Sequence, residues 1–149
     1  MYNSTEDTQK HIENVRGFLS DVMGNIAARS LLHDASKLVE PEKSMYNEYT
    51  PLLKDLTYGS DEYKDTLKKM GVALRHHYQE NTHHPEHFEN GVNGMTLLDV
   101  VEMLADWKAA SLRHSNGNIM ESLKINKERF GISDQLAEIL ENTVKNMGW

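Results

Sequence analysis

The sequence predicts an all-α protein, a single compact domain of about seven helices. Two observations carry that prediction. Apolar residues recur at steps of three and four along nearly the whole chain, and the segments they mark are bounded by capping residues, glycines and prolines. No stretch alternates as a half-buried strand would, and no internal repeat or linker divides the chain.

From about Thr5 to Met23, the residues Ile12, Val15, Leu19 and Val22 mark one face of a first helix, with Ser4 or Thr5 as its N-cap. His11 precedes Val15 by one turn and lies at the edge of that face. A second helix is expected from about Ile26 to Leu38. It carries Leu31-Leu32, then His33-Asp34, then Lys37, an i,i+3 neighbour of Asp34. Pro41 opens a third helix, about Glu42 to Leu56, because a first-turn proline gives up no helical bond. Met45, Tyr49, Leu52, Leu53 and Leu56 line it, Pro51 bends it, and Tyr58-Gly59-Ser60 closes it.

Ser60 caps a fourth helix with Tyr63, Leu67, Met70, Leu74 and His77 on one stripe. His76 sits beside that stripe, which makes His77 the better ligand candidate, and Arg75 lies nearby. Pro85, Gly91 and Gly94 make the next segment a loop, and it holds His83, His84 and His87. The helix from about Thr96 to Arg113 is apolar on most sides, with Leu97, Leu98, Val100, Val101, Met103, Leu104 and Trp107, and is expected to be central. Asp99, Glu102 and Asp106 form its polar line. A carboxylate on a largely buried helix is costly unless it is paired, so Asp106 and Glu102 require a partner inside the fold. Ser115-Asn116-Gly117-Asn118 is a turn. A sixth helix with Ile119, Leu123 and Phe130 ends at Gly131, and Ser133 caps a last one with Leu136, Ile139, Leu140, Thr143 and Met147.

The 149 residues are enough to bury a core without covalent staples. With no cysteine, disulfides, thiolate zinc sites and cysteine nucleophiles are excluded, which fits a reducing, cytoplasmic setting. A metal site would have to be built from His, Asp and Glu, a donor set that suits Mn, Fe, Co, Ni or Zn, with Mg also compatible. The net charge of −7 and the lack of a Lys/Arg run argue against duplex nucleic acid as a partner. A small phosphorylated substrate needs only a local cluster of cations. No apolar run approaches a membrane span, and the start is too polar for a signal peptide.

In chain order the chemistry-bearing groups are His11, His33-Asp34, His77, the histidine loop and Asp106. One bound divalent ion would explain them together, by satisfying Asp106 and giving the inward imidazoles a task. The order resembles that of the HD-domain superfamily of metal-dependent phosphohydrolases, helical proteins whose ligands run His, His-Asp, Asp. The resemblance implies His11, His33, Asp34 and Asp106 as ligands, with His77 and either His83 or His84 added where a second ion is held. Lys37 resembles the family's common extension of the His-Asp motif. More narrowly, His76-His77-Tyr78-Gln79-Glu80-Asn81-Thr82-His83-His84, with Met95 and Glu102-Met103-Leu104-Ala105-Asp106-Trp107, is similar to a small uncharacterised family found in phages and bacteria. That likeness runs from about His11 to Arg113 and implies no particular activity. The short spacing from His77 to His84 departs from better-known two-metal members.

The resemblance implies hydrolysis of a nucleotide or another small phosphoester. A bound ion would acidify a water and offset phosphoryl charge. Lys37 and Arg75 would meet phosphate oxygens, while Glu102, His83 or His87 would orient water or protonate the leaving group. Two alternatives stand beside this expectation: a di-iron oxygenase of the same superfamily, and a non-catalytic, metal-containing module that captures a nucleotide or a host protein.

Overall fold

The computed structural model describes residues 2–57, 60–113 and 117–149. Among these residues there are seven α-helices and no strand, so the chain has the all-helical fold expected of it. It divides into two compact units, Met1–His33 and Asp34–Trp149. Tyr58 and Gly59 of the expected third-helix terminus, and Ser115 and Asn116 of the expected turn, lie outside the described residues.

The first unit is essentially one helix, α1 (Thr5–Leu32), of 28 residues. The two helices expected here are joined, because Gly24 inside a helix costs only about 1 kcal/mol relative to alanine and Ala27, Ala28 and Arg29 resume good helix-forming sequence. The break falls later. The His33 N–H bonds to the Arg29 carbonyl at 2.8 Å, and Asp34 then takes the left-handed conformation at φ 56°, which an aspartate tolerates better than most residues. His33-Asp34 therefore stands at a helix terminus and not within a helix. Neither Ser4 nor Thr5 caps α1 with its side chain. Asn3 does so instead, its Oδ1 accepting from the Thr5 N–H at 3.0 Å.

The second unit begins with Asp34 and a short 3-10 turn, Ala35–Leu38. Then come α2 (Glu42–Lys54), α3 (Asp61–Lys69) and α4 (Gly71–Glu80). The single helix expected after Ser60 is in fact α3 and α4. Ser60 caps α3 as anticipated, accepting from the Tyr63 N–H at 3.2 Å. At the other end the Met70 N–H tightens onto the Leu67 carbonyl at 3.1 Å, and the chain turns at the pair Met70-Gly71. Met70 has no exposed surface, so the turn drives its side chain inward. After α4 the chain crosses two short 3-10 turns, Pro85–His87 and Gly91–Gly94. It then forms α5 (Leu97–Ser111), α6 (Ile119–Phe130) and α7 (Asp134–Met147).

The apolar core of this unit joins the last three helices. Val100, Met103, Leu104 and Trp107 of α5 meet Ile119 and Leu123 of α6, Ile132, and Leu140 and Val144 of α7. Trp107 stacks nearly parallel to Phe130, with ring centroids 6.1 Å apart. Gly131 and Ser133 end α6 and start α7 as the sequence predicts. α5 is less enclosed than expected: Leu97 is 72% and Val101 44% exposed, because the buried apolar residues are confined to Val100, Met103, Leu104 and Trp107.

The buried Asp99 of α5 is satisfied locally. It accepts from the Thr96 N–H at 2.8 Å and the Thr96 hydroxyl at 2.6 Å, and also from the Thr82 hydroxyl at 2.6 Å. This capping box fastens the segment before His83 onto the start of α5. Met103→Ala is expected to cost about 2–5 kcal/mol in denaturant unfolding. Val101→Ala, one turn-face away, should stay within about 0.5 kcal/mol. Equal costs would show that the core is misplaced.

Candidate metal centre

Asp34 stands where α1 has ended, and its carboxylate is divided in role. The Lys37 ammonium holds Oδ2 at 2.5 Å and lies 5.1 Å from the centre of the Tyr46 ring. Oδ1 faces His77 Nε2 at 3.3 Å and His83 Nε2 at 3.5 Å. Burial by itself would raise the Asp34 carboxyl. The imidazoles of His77 and His83 and the Lys37 charge together outweigh it and hold the group well below the usual carboxylate range.

His77 comes from the buried face of α4 and is 1% exposed. Its Nδ1 lies 2.9 Å from one oxygen of Glu42, whose other oxygen is 2.7 Å from His76 Nδ1. Glu42 itself, the first residue of α2, has no exposed surface. In a neutral His77 that donates its Nδ1 proton to Glu42, the Nε2 lone pair would face Asp34 and His84. His83 is arranged in the same way from the loop: Nδ1 meets Glu102 of α5 at 3.2 Å, while Nε2 faces Asp34. His84 adds a third Nε2, 2.9 Å from that of His77. Burial, with His83 and His77 beside it, pushes the His84 imidazole down to about 3, so that it is neutral near pH 7.

One ligand atom each from Asp34, His77, His83 and His84 thus lies within 4.8 Å of all the others. Donors about 2.1 Å from a common ion stand roughly 3.0 Å apart at an octahedral edge and 3.4 Å at a tetrahedral one. The separations of 2.9, 3.3 and 3.5 Å bracket those values. Metal binding requires unprotonated Nε2 atoms, and here three of them converge on one carboxylate. The group could therefore hold a divalent ion. A carboxylate oxygen of Asp106, one helical turn beyond Glu102 on α5, lies within 4.8 Å of one of Asp34's.

The structure brings together Asp34, His77, His83, His84 and Asp106, with Lys37 and Glu102 in contact with them. Of the other residues of the expected site, His11 and His33 belong to the first unit, while Arg75 and His87 take no part in the cluster. His11 is exposed on α1 in the first unit, and His33 is that unit's last residue, at the α1 C-terminus. Arg75 is exposed on α4, two positions before His77 and so about 200° around the helix from it. His87 donates from Nδ1 to the Tyr78 carbonyl at 2.9 Å and packs on Phe88, a structural role. Of the residues left open by the sequence, His77 and not His76 turns its Nε2 into the cluster, and His83 and His84 both enter it. Glu42 was missed. Its signal was the step of three to Met45, which sets it on the inward stripe of its helix.

Fold and site together define an all-α protein with a buried carboxylate–imidazole cluster able to accept a metal ion. The chain belongs to the family of unknown function DUF5662, whose pattern matches residues 1–146. No curated protein and no solved structure matches it.

The depressed His84 gives the metal-free protein a pH signature. Between about pH 6.5 and the folded value of about 3, unfolded His84 binds a proton that the native residue refuses. The unfolded state is therefore favoured as pH falls through that window. His84→Asn should flatten the decline in unfolding free energy by up to about 1.4 kcal/mol per pH unit. Parallel denaturant titrations of the two chelator-treated proteins between pH 7 and 4 measure the difference.

Proposed function

We propose that this protein is a metal-dependent phosphohydrolase acting on a nucleotide or another small phosphoester. The observation that carries the reading is the convergence of Asp34 Oδ1 with the Nε2 atoms of His77, His83 and His84, beside the Lys37 ammonium. Three imidazoles and one carboxylate favour Mn, Fe, Co, Ni or Zn over Mg. Asp34, His77, His83 and His84 would hold the ion, and Asp106 lies close enough to Asp34 to share a second one. Such an ion supplies Lewis acidity toward phosphoryl oxygens and a water acidified toward neutral pH.

The chain's own groups then have separable tasks. Lys37 neutralises Asp34 and presents its remaining N–H donors to phosphate oxygens. Asp106 is the carboxylate beside the cluster that could hold a water and take its proton. Glu102 keeps His83 turned inward. The resemblance to HD-domain phosphohydrolases supports the same reaction class. In this reading the ligands from the second unit are Asp34, His77, His83 and His84, and these histidines are the ones the resemblance adds where a second ion is held.

Three imidazoles also suit iron and dioxygen chemistry, so a di-iron oxygenase is the second reading. Elemental analysis of wild type and Asp34→Ala, followed by a phosphate-release screen over nucleotides with Mn, Co, Fe, Mg and Zn, separates these readings. The phosphohydrolase reading expects bound transition metal that is lost with Asp34→Ala, and anaerobic release of phosphate or pyrophosphate reduced at least 100-fold in that variant. Turnover that requires oxygen and two irons would replace it with the oxygenase. A folded wild type that binds no metal under any condition would end both.

A further inference from the structure

A fully buried carboxylate is a costly thing to fold, and the cost is offset only by close, well-directed donors. Glu42 has two of them, His77 Nδ1 at 2.9 Å and His76 Nδ1 at 2.7 Å. His76 is 33% exposed, so that half of the arrangement reaches the surface; His77, at 1%, leads to the cluster. The Ser36 hydroxyl and the Asn81 amide nitrogen also lie near His77 Nδ1, at 3.2 and 3.1 Å, each farther than Glu42. The Asn81 amide donates to the Ser36 hydroxyl and to the His77 carbonyl, both at 2.8 Å, which leaves Glu42 as the anionic acceptor at this nitrogen.

We propose that Glu42 is a positioning residue that fixes His77 as an Nε2 ligand and thereby sets the affinity of the cluster for a divalent ion. The proposal rests on the metal-centre reading and adds a residue to it that would touch neither ion nor substrate. Two physical effects act through one hydrogen bond. A ring anchored at Nδ1 cannot turn over and present the wrong nitrogen. An N–H donated to a carboxylate also makes the opposite nitrogen a better donor to a metal. Glu102 backs His83 similarly from α5, but at 3.2 Å and with 14% exposure, so Glu42 is the shorter and drier of the two supports. Because Glu42 begins α2, the placement of that helix is linked directly to the aim of His77.

The test is titration of the metal-free full-length protein with cobalt(II), read by visible absorption, for wild type, Glu42→Gln and Glu42→Asp, with helix content checked by circular dichroism. Glu42→Gln should bind cobalt about 10–100-fold more weakly, with Glu42→Asp recovering part of the loss because it keeps the charge. In cobalt-loaded wild type, proton NMR should show a hyperfine-shifted, slowly exchanging Nδ1–H from His77 that exchanges rapidly in Glu42→Gln. A folded Glu42→Gln that binds within twofold of wild type overturns the proposal. Should that variant fail to fold, the lack of a slowly exchanging His77 Nδ1–H in wild type overturns it equally. Cobalt bound by wild type and lost with Asp34→Ala, but unaffected by either Glu42 substitution, removes Glu42 alone. A wild type that takes up no cobalt removes the metal centre with it.

Discussion

Two carboxylates taken largely or wholly out of water, Asp34 and Glu42, set the terms for the second unit. Each must be met by donors at close range, and the same imidazole meets both. His77 stands between them, with Nδ1 2.9 Å from Glu42 and Nε2 3.3 Å from Asp34. The elements around it are placed accordingly. α2 supplies Glu42 at its start, α4 supplies His77 from its buried face, and the left-handed turn at Asp34 puts the second carboxylate opposite. An uncompensated charge at any of these positions would cost several kcal/mol.

The remaining parts serve that arrangement at one remove. The apolar core of α5, α6 and α7 holds α5 firmly, and α5 carries Glu102 to His83 and Asp106 to Asp34 on one flank. The Thr96–Asp99 capping box, extended to Thr82, fixes the loop immediately ahead of His83 and His84. Two adjacent loop histidines can therefore both point into the cluster without the regular spacing of a helix. Lys37 occupies the outer oxygen of Asp34, which leaves one oxygen directed inward and gives the centre a cationic edge.

Much of this was legible in the residues, for reasons that also explain what was not. The helix faces followed from steps of three and four, and the same steps identified His77 over His76. The Asp34–Lys37 pair was readable from its spacing, although it spans a turn and not a helix. Loop histidines were recognisable as a group, but which nitrogen each presents depends on Glu102 and Glu42, which are distant in sequence. Glu42 itself looked like an ordinary first-turn acid, since burial of a charge is decided by tertiary partners and leaves no local mark except its step to Met45. The division of α3 from α4 was hidden because Gly71 is tolerable inside a helix, and the turn there is enforced by burying Met70. His11 sits on its helix face as the periodicity requires; periodicity cannot say which other groups it meets.

The proposed chemistry requires that Asp34, His77, His83 and His84 form one metal centre. It is tested most directly by diffraction from crystals grown with cobalt(II), with anomalous scattering collected at the cobalt edge. A single strong peak is expected about 2.0–2.2 Å from Asp34 Oδ1 and the three Nε2 atoms, with any second peak between Asp34 and Asp106. Cobalt bound only at surface carboxylates, or a peak from which His77 and His83 are turned away, would contradict it.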